Sequence, residues 1–207
     1  MRRGDGIGSA VIGVAGCVLA AAPIACFLLL QPAAAAEPVG VHFGQGIAPG
    51  GHLSGDLARK LDTSGHVGGR LYVGLRRPGI GIEASLSGTD ATVVGEEAEV
   101  STFALAVEAR PSLALTSWLN LYVHGGPSYS WLGATDHPLG RFSGLGVVYG
   151  TGLELATQRR LENGWLFGMS LWLDESVQHL DLTGAEGGEI GGTVALTLLG
   201  MGFSFGS

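Results

Sequence analysis

The feature that most constrains this chain is an alternation of apolar and polar residues with a period of two. Leu71, Val73 and Leu75, for example, alternate with more polar neighbours. A period of two places successive side chains on opposite faces of a β-strand. The pattern recurs in eight segments, at residues 39–43, 66–76, 80–87, 102–110, 119–131, 145–155, 165–174 and 199–205. The sequence therefore predicts an all-β fold with eight strands.

Short and long connections alternate between these segments. The short links lie at 77–79, 110–117 and 158–164, and the longer polar links at 48–65, 89–99, 133–141 and 175–191. Antiparallel strands of about 9 to 11 residues, joined by short turns at one end and longer loops at the other, are typical of a transmembrane barrel. Lipid offers no hydrogen-bonding partner to an open sheet edge. We therefore predict a closed, eight-stranded antiparallel up-and-down transmembrane β-barrel.

The residue types on the polar face indicate which face is inside. The chain contains 37 Gly, and many occupy polar-face positions of the predicted strands. The lumen of an eight-stranded barrel is only wide enough for side chains to fill, so Gly makes room for large polar residues. This favours an apolar face turned to lipid. A secreted, water-soluble barrel with its apolar face inward is the alternative.

Charged residues of both signs occupy the predicted inward face. Pairing the strands across Pro78-Gly79 places Gly74 opposite Glu83 and Arg76 diagonal to Glu83. An unpaired ion away from bulk water is costly, so we expect these charges to neutralise one another as an internal plug. A charged constriction that selects ions is the alternative. The predicted lumen charge cluster comprises Arg70, Arg76, Glu83, Glu108, Arg110, Glu154 and Asp174.

The first 36 residues have the three parts of a secretory signal peptide. Arg2 and Arg3 precede an uncharged apolar stretch, and four Ala residues end at Ala36. We predict a helical signal peptide at residues 1–36, cleaved near Ala36, and a barrel domain at residues 37–207. Because the apolar stretch is long enough to span a bilayer, a retained anchor is one alternative. Lipidation at Cys17, which follows Val14-Ala15-Gly16, is another.

Composition and spacing argue against other functions. Eleven basic and 18 acidic residues give a net charge of -7, which disfavours nucleic acid as a partner. The inward-facing His42, His66 and His124 lie on three predicted strands, so we expect no metal site. His124 and Ser128 share a strand face but are about 13 Å apart at ~3.3 Å per residue, too far for a nucleophile and its base. We expect no catalytic residue and no cofactor, with a lipid A-modifying enzyme as an alternative.

The aromatic residues and the C-terminus carry a family resemblance. Tyr129 and Trp131 lie at the predicted outer end, and Trp165 at the periplasmic end. At the C-terminus, Gly200, Phe203 and Phe205 follow the pattern of the assembly signal of bacterial outer-membrane proteins. With the strand pattern, the mature chain resembles the eight-stranded outer-membrane barrel superfamily of OmpA-type and OmpX-type proteins.

The resemblance implies a location and a set of partners. These are the outer-membrane lipid bilayer of a Gram-negative bacterium, the barrel assembly machinery and periplasmic chaperones. We expect a monomer without a peptidoglycan-binding domain, acting structurally or through surface interactions of its extracellular loops. A narrow solute or ion pore is the alternative. In the first loop, residues 56–61 are expected to form a short helical turn.

Overall fold

The computed structural model describes residues 40–77, 79–96, 98–134, 141–184 and 187–206. The predicted signal peptide, its cleavage near Ala36 and its two alternatives therefore lie outside the described residues. The described residues form ten strands and one short helix. In chain order these are β1 (Gly40–Ala48), β2 (His52–Ser54), α1 (Gly55–Lys60), β3 (Leu61–Asp62), β4 (Gly68–Arg77), β5 (Ile80–Val93), β6 (Glu99–Ala114), β7 (Leu119–Ala134), β8 (Arg141–Arg160), β9 (Leu166–Gly184) and β10 (Glu189–Gly206).

Eight of these strands close into a barrel. β1 and β4 to β10 pair with their neighbours in antiparallel order, and β1 pairs back onto β10 through Val41 opposite Phe205 and Ile47 opposite Leu199. A register row that leaves β10 at Leu199 crosses every strand in turn and returns to β10 at Glu189, a shift of 10 residues. Such a shift goes with tilted strands in a closed barrel. The predicted eight-stranded antiparallel up-and-down barrel is confirmed.

The two faces of the barrel wall are also as predicted. Leu71, Leu105 and Leu171 face outward and are 54%, 53% and 57% exposed, whereas Glu83 is 1% exposed inside the barrel. A water-soluble barrel would need the opposite arrangement, because its only core lies within. The soluble alternative is therefore wrong. Among the described residues, no helix is sufficiently long and apolar to cross a membrane.

The predicted strands were too short at the outer end, and β6 and β8 also extend into the predicted short links, to Ala114 and Arg160. β8 has 20 residues and β9 has 19. The segment expected to be a loop at 175–191 is largely strand, since β9 continues to Gly184 and β10 begins at Glu189. Towards the outer end of the barrel, beyond the apolar outer wall, the two faces exchange character. Leu180 and Leu182 are buried inside, while Asp181 is exposed outside. Beyond the bilayer the barrel therefore continues with an apolar interior and a polar outer surface, the arrangement found in water-soluble barrels.

The first outer connection folds over this apolar interior. β2 pairs with β10 and β3 with β5, and α1 joins them, which confirms the predicted helical turn. Leu57 of α1 is 0% exposed. The close approach uses Gly55 and Gly192. A Cβ on Gly55 would lie 2.9 Å from Gly192 Cα, and a Cβ on Gly192 would lie 2.2 Å from the Ser54 carbonyl oxygen and 3.1 Å from Leu57. The apolar interior includes Ala48, Leu57, Leu61, Ala91, Val93, Val100, Leu132, Leu180, Leu182, Ile190, Val194, Leu196 and Leu198.

Candidate functional site: a charged network across the lumen

All seven members of the predicted charge cluster point into the lumen. Six of them are 5% exposed or less, and the Arg76 side chain is 23% exposed. They lie on five different strands, and the inward phase of the alternation places all of them on the same side of the wall. The structure joins them in one network of ion pairs. Its members are Arg70, Arg76, Glu83, Glu108, Arg110, Glu154 and Asp174.

Glu83 is the most connected carboxylate of the network. Its Oε1 accepts hydrogen bonds from Arg110 Nη1 and from His42 Nε2, both at 2.7 Å. Arg70 Nη2 lies 3.7 Å from its other oxygen, and Arg76 Nη2 lies 3.9 Å from Oε1. Glu83 is thus surrounded by three guanidinium groups and one imidazole, which offsets the cost of burying its charge.

Glu154 lies across the barrel from Arg76. Arg76 Nη1 donates to both carboxylate oxygens of Glu154, at 2.9 and 2.7 Å, and Arg110 Nη2 lies 3.5 Å away. The Arg110 guanidinium also lies over the Tyr122 ring, 3.7 Å from its centroid. Since β4 and β8 are on opposite sides of the eight-stranded ring, the Arg76–Glu154 pair spans the full width of the lumen.

A second group of charges centres on Arg70 and His124. Arg70 Nη2 donates to Glu108 Oε1 at 2.8 Å, and its Nη1 lies 3.7 Å from Asp174 Oδ1. His124 Nδ1 is hydrogen-bonded to Glu108 Oε2, and His124 Nε2 lies 3.2 Å from Asp174 Oδ2. Ser85 Oγ also donates to Glu108. These contacts connect β4, β5, β6, β7 and β9.

The two histidines of the network were absent from the predicted cluster. His42 pairs in register with Gly74, which pairs with Glu83 on the next strand. A Cβ on Gly74 would lie 3.0 Å from Glu83 Cγ and 2.3 Å from the Ile82 carbonyl oxygen, so the missing side chain lets His42 and Glu83 meet. The strand register could have identified His42. His42 and Glu83 lie on the two strands that flank β4, and the β4 residue between them is Gly74.

Trp172 fills the lumen beside this network. Its indole packs against Tyr72 with ring centroids 5.8 Å apart and is 3% exposed. Gly46 and Gly200 give it room, since a Cβ on Gly200 would lie 2.1 Å from Trp172 Cζ2. The aromatic rings thus add a packed layer to the charged one, as expected in a lumen filled by side chains.

The C-terminal signal residues occupy two faces of β10. Phe205 is 40% exposed on the outer wall, and Phe203 packs on the same side against Phe43 and Phe167, with ring centroids 5.6 and 6.4 Å away. Gly200 lies inside, against Trp172. These aromatic contacts cover the β1–β10 seam where the barrel closes. Recognition of these residues during assembly stays a prediction.

Residues weighed for catalysis and metal binding lie inside the wall. His124 is held by Glu108 and Asp174, and Ser128 Oγ is buried without a hydrogen-bond partner among the described residues. Within the described ranges, no group of three or more His, Cys, Asp or Glu side chains is placed to hold a metal ion. The expected lack of a catalytic centre and of a cofactor stays a prediction.

The chain matches a known protein family over most of its length. Residues 17–196 match the outer membrane protein beta-barrel domain. The chain belongs to this family. This outer-membrane barrel therefore lies in the lipid bilayer of a Gram-negative outer membrane. Of the 30 large exposed apolar side chains among the described residues, 24 lie on the eight strands of the wall, where they face outward.

Solved structures of outer-membrane barrels resemble this one in fold. Neisserial surface protein A is 12% identical, with 84% of this chain and 100% of that chain covered and a TM-score of 0.57. Ail of Yersinia pestis is 18% identical, with 82% and 100% covered and a TM-score of 0.47. The N-terminal barrel of Pseudomonas aeruginosa OprF is 17% identical, with 83% and 100% covered and a TM-score of 0.43. No curated protein matches the chain significantly.

Proposed function

We propose that this protein is a sealed, non-enzymatic outer-membrane barrel that acts structurally or through surface interactions of its extracellular part. The observation that carries the proposal is the charged network across the lumen. Arg76 on β4 reaches Glu154 on β8, on the opposite wall, with a nitrogen-to-oxygen distance of 2.7 Å. Ions in transit would have to break contacts that hold buried charges in place.

The apolar outer half of the lumen supports the same proposal. Leu57 of α1 is fully buried among apolar side chains at the mouth, and Leu198 is 0% exposed deeper inside. A dry apolar constriction excludes hydrated ions even without charged residues. A solute would therefore meet two different barriers in series, one apolar and one charged.

Interior placement of the polar side chains argues against a lipid A-modifying enzyme. His124 and Ser128 are 4% and 3% exposed and lie on the lumen side of the wall, away from lipid substrates. His124 also has both ring nitrogens engaged by carboxylates. A nucleophile needs an adjacent base and access to its substrate. This arrangement supports the proposed non-enzymatic role.

The route to the membrane is part of the proposal. We infer that the signal peptide is removed near Ala36, that periplasmic chaperones carry the chain, and that the barrel assembly machinery inserts it. The barrel places its short turns, such as residues 77–80, at the periplasmic end and its longest connection, residues 48–68, outside. Partners at the cell surface meet β2, α1 and β3 and the outward residues of the strand ends.

Single-channel recording in planar bilayers tests the proposal. Purified, folded barrel should give no steady openings, whereas regular openings would favour the narrow pore. A matched variant, Arg76→Ala with Glu154→Ala, removes the pair that spans the lumen and serves as a sensitivity control. Mass spectrometry of lipid A from cells with and without the protein provides the second arm, and a mass change that depends on the protein would support the enzyme instead.

A further inference from the structure

Within the described residues, four polar side chains interrupt the apolar outer wall on the side formed by β8, β9, β10 and β1. Thr151 on β8 pairs with Glu175 on β9, which pairs with Thr197 on β10. All three are outward-facing and exposed, and so is Gln45 on β1. We call these four residues the polar belt: Gln45, Thr151, Glu175 and Thr197.

The polar belt lies inside the apolar band, in its outer half. At a strand tilt of about 40°, each residue rises roughly 2.5 Å along the barrel axis, and a register row rises roughly 3 Å per strand. Glu175 is then about 20 Å above Phe167 of the periplasmic aromatic cluster, in an apolar band ~25 Å tall. The same geometry puts the four belt residues within roughly 7 Å of one another in height. On the outer face of β9, apolar side chains flank Glu175 on both sides, at Leu173 below and Val177 above.

Among the described residues, the rest of the wall carries no polar side chain at this level. Its lipid-facing positions there are Leu71, Leu86 and Val107, which are 54%, 38% and 57% exposed. The difference is therefore between two sides of one barrel at one depth.

Three of the belt side chains lack partners within the part of the chain that the structure describes. Thr151 Oγ1 donates to the Tyr122 carbonyl oxygen at 3.0 Å. The side chains of Gln45, Glu175 and Thr197 make no hydrogen bond or ion pair with another described residue. Lipid tails cannot hydrogen-bond, so ionisable and amide groups at this depth are costly without a protein partner.

We propose that the polar belt is the contact surface between two copies of this barrel. Barrels in one membrane share one orientation, so a two-fold axis along the membrane normal brings residues of equal height face to face. The belt is self-complementary: the Gln45 amide and the Thr197 hydroxyl are donors, and the Glu175 carboxyl group is an acceptor. Thr197 lies on β10, between Glu175 on β9 and Gln45 on β1, and is therefore placed closest to this axis.

The wall beside the belt allows close approach. A depression of about 730 Å³ adjoins Gln45 and includes Gly69, where a Cβ would have only the Gly46 carbonyl oxygen within 4 Å. Small residues let neighbouring elements pack closely in a membrane. The second copy would thus find hydrogen-bonding groups on the belt and space for its side chains in the depression. This arrangement replaces the monomer expected from the sequence with a dimer.

Cysteine cross-linking in the membrane tests the interface. Thr197→Cys is compared with Val107→Cys, which faces lipid at a similar height on the opposite wall, both in the full chain with Cys17→Ala and Cys26→Ala. Oxidation in outer-membrane vesicles should give a covalent dimer for the Thr197 variant and none for the Val107 variant. Absence of the dimer at Thr197, or equal dimer at both positions, would overturn the proposal.

A second measurement separates association from folding. Glu175→Leu with Gln45→Leu should lower the association constant in lipid vesicles roughly tenfold, because two symmetry-related sets of contacts are lost at once. Heat-modifiable gel migration verifies that the variant barrel is folded. A folded variant that associates as strongly as the original chain would overturn the proposal, and so would an original chain that stays monomeric in vesicles.

Discussion

Inside the barrel, Arg110 Nη1 donates a 2.7 Å hydrogen bond to Oε1 of Glu83 on the neighbouring strand. Both side chains are almost completely buried, at 3% and 1% exposed. Glu83 also contacts His42, Arg70 and Arg76, so this pair connects the two groups of charges in the network. Losing either member leaves an uncompensated charge in the lumen.

Removing Arg110 is predicted to destabilise the barrel strongly. Arg110→Leu leaves Glu83 and Glu154 each with one close cation fewer, and breaking a buried pair costs about 3–5 kcal/mol. Urea unfolding in lipid vesicles measures the change. Arg77→Leu is the matched control, because Arg77 is exposed at the periplasmic end and makes no ion pair with a described residue. Equal effects of the two substitutions would contradict a structural role for the network.

A side chain at position 200, where the chain has Gly200, is predicted to prevent normal closure of the barrel between β1 and β10. The Cβ of Gly200→Ala would meet Trp172 Cζ2 at 2.1 Å and the Gln45 carbonyl oxygen at 2.5 Å. Folded yield should fall, as seen from heat-modifiable migration. Gly133→Ala is the control, since its Cβ meets nothing within 4 Å.

A second-site change distinguishes packing from recognition at Gly200. Adding Trp172→Ala to Gly200→Ala removes the ring that fills the space and should restore part of the folded yield. If Gly200 acts instead through recognition by the assembly machinery, the second change will not help in cells. Comparing refolding in detergent with assembly in cells separates the two cases.

Leu57 is predicted to hold α1 in the barrel mouth. Leu57→Ala removes a fully buried side chain from the outer apolar core, a change that costs about 2–5 kcal/mol in well-packed sites. Hydrogen exchange of residues 52–62 should accelerate more than exchange of β6. Arg59→Ala, on the exposed side of the same helix, should leave exchange nearly unchanged. Unaltered exchange in the Leu57 variant would show that α1 is not fixed by this contact.

Charge on the lipid-facing wall is predicted to be costly in a depth-dependent way. Leu105→Arg places a cation within the apolar band and should cost about 2–4 kcal/mol. Ser101→Arg, four residues nearer the outer end on the same face of β6, should have little effect. Unfolding in vesicles measures both, and equal costs would mean that the bilayer does not end between the two positions.

The sequence predicts the barrel because its dominant signal is local. Period-two alternation gives the faces, and glycines such as Gly74 on the polar face indicate a crowded interior. The inward phase also selects Arg70 and Asp174, which lie on different strands and meet only in the fold. The connection between them depends on the 10-residue shift around the barrel, which no local pattern contains.

The outer strand ends were not predicted because the face that carries the apolar residues changes along the barrel axis. Asp181 and His179 are polar and outward above the bilayer, so the segment has the composition of a loop. Its inward residues, Leu180 and Leu182, are apolar and bury against the interior core. A single rule that apolar residues face lipid fails where water replaces lipid. Glu175, within the same predicted loop, escaped notice as a membrane residue for the same reason.

Thiol labelling at Ser128 tests the sealed lumen most directly. Ser128 is 3% exposed on the lumen side, and Ser128→Cys changes one atom in a chain with Cys17→Ala and Cys26→Ala. A charged, membrane-impermeant thiol reagent is applied to folded barrels in vesicles from either side. We expect no labelling until the barrel is unfolded. Rapid labelling of the folded barrel from one side or both would show a water-filled lumen and contradict the account.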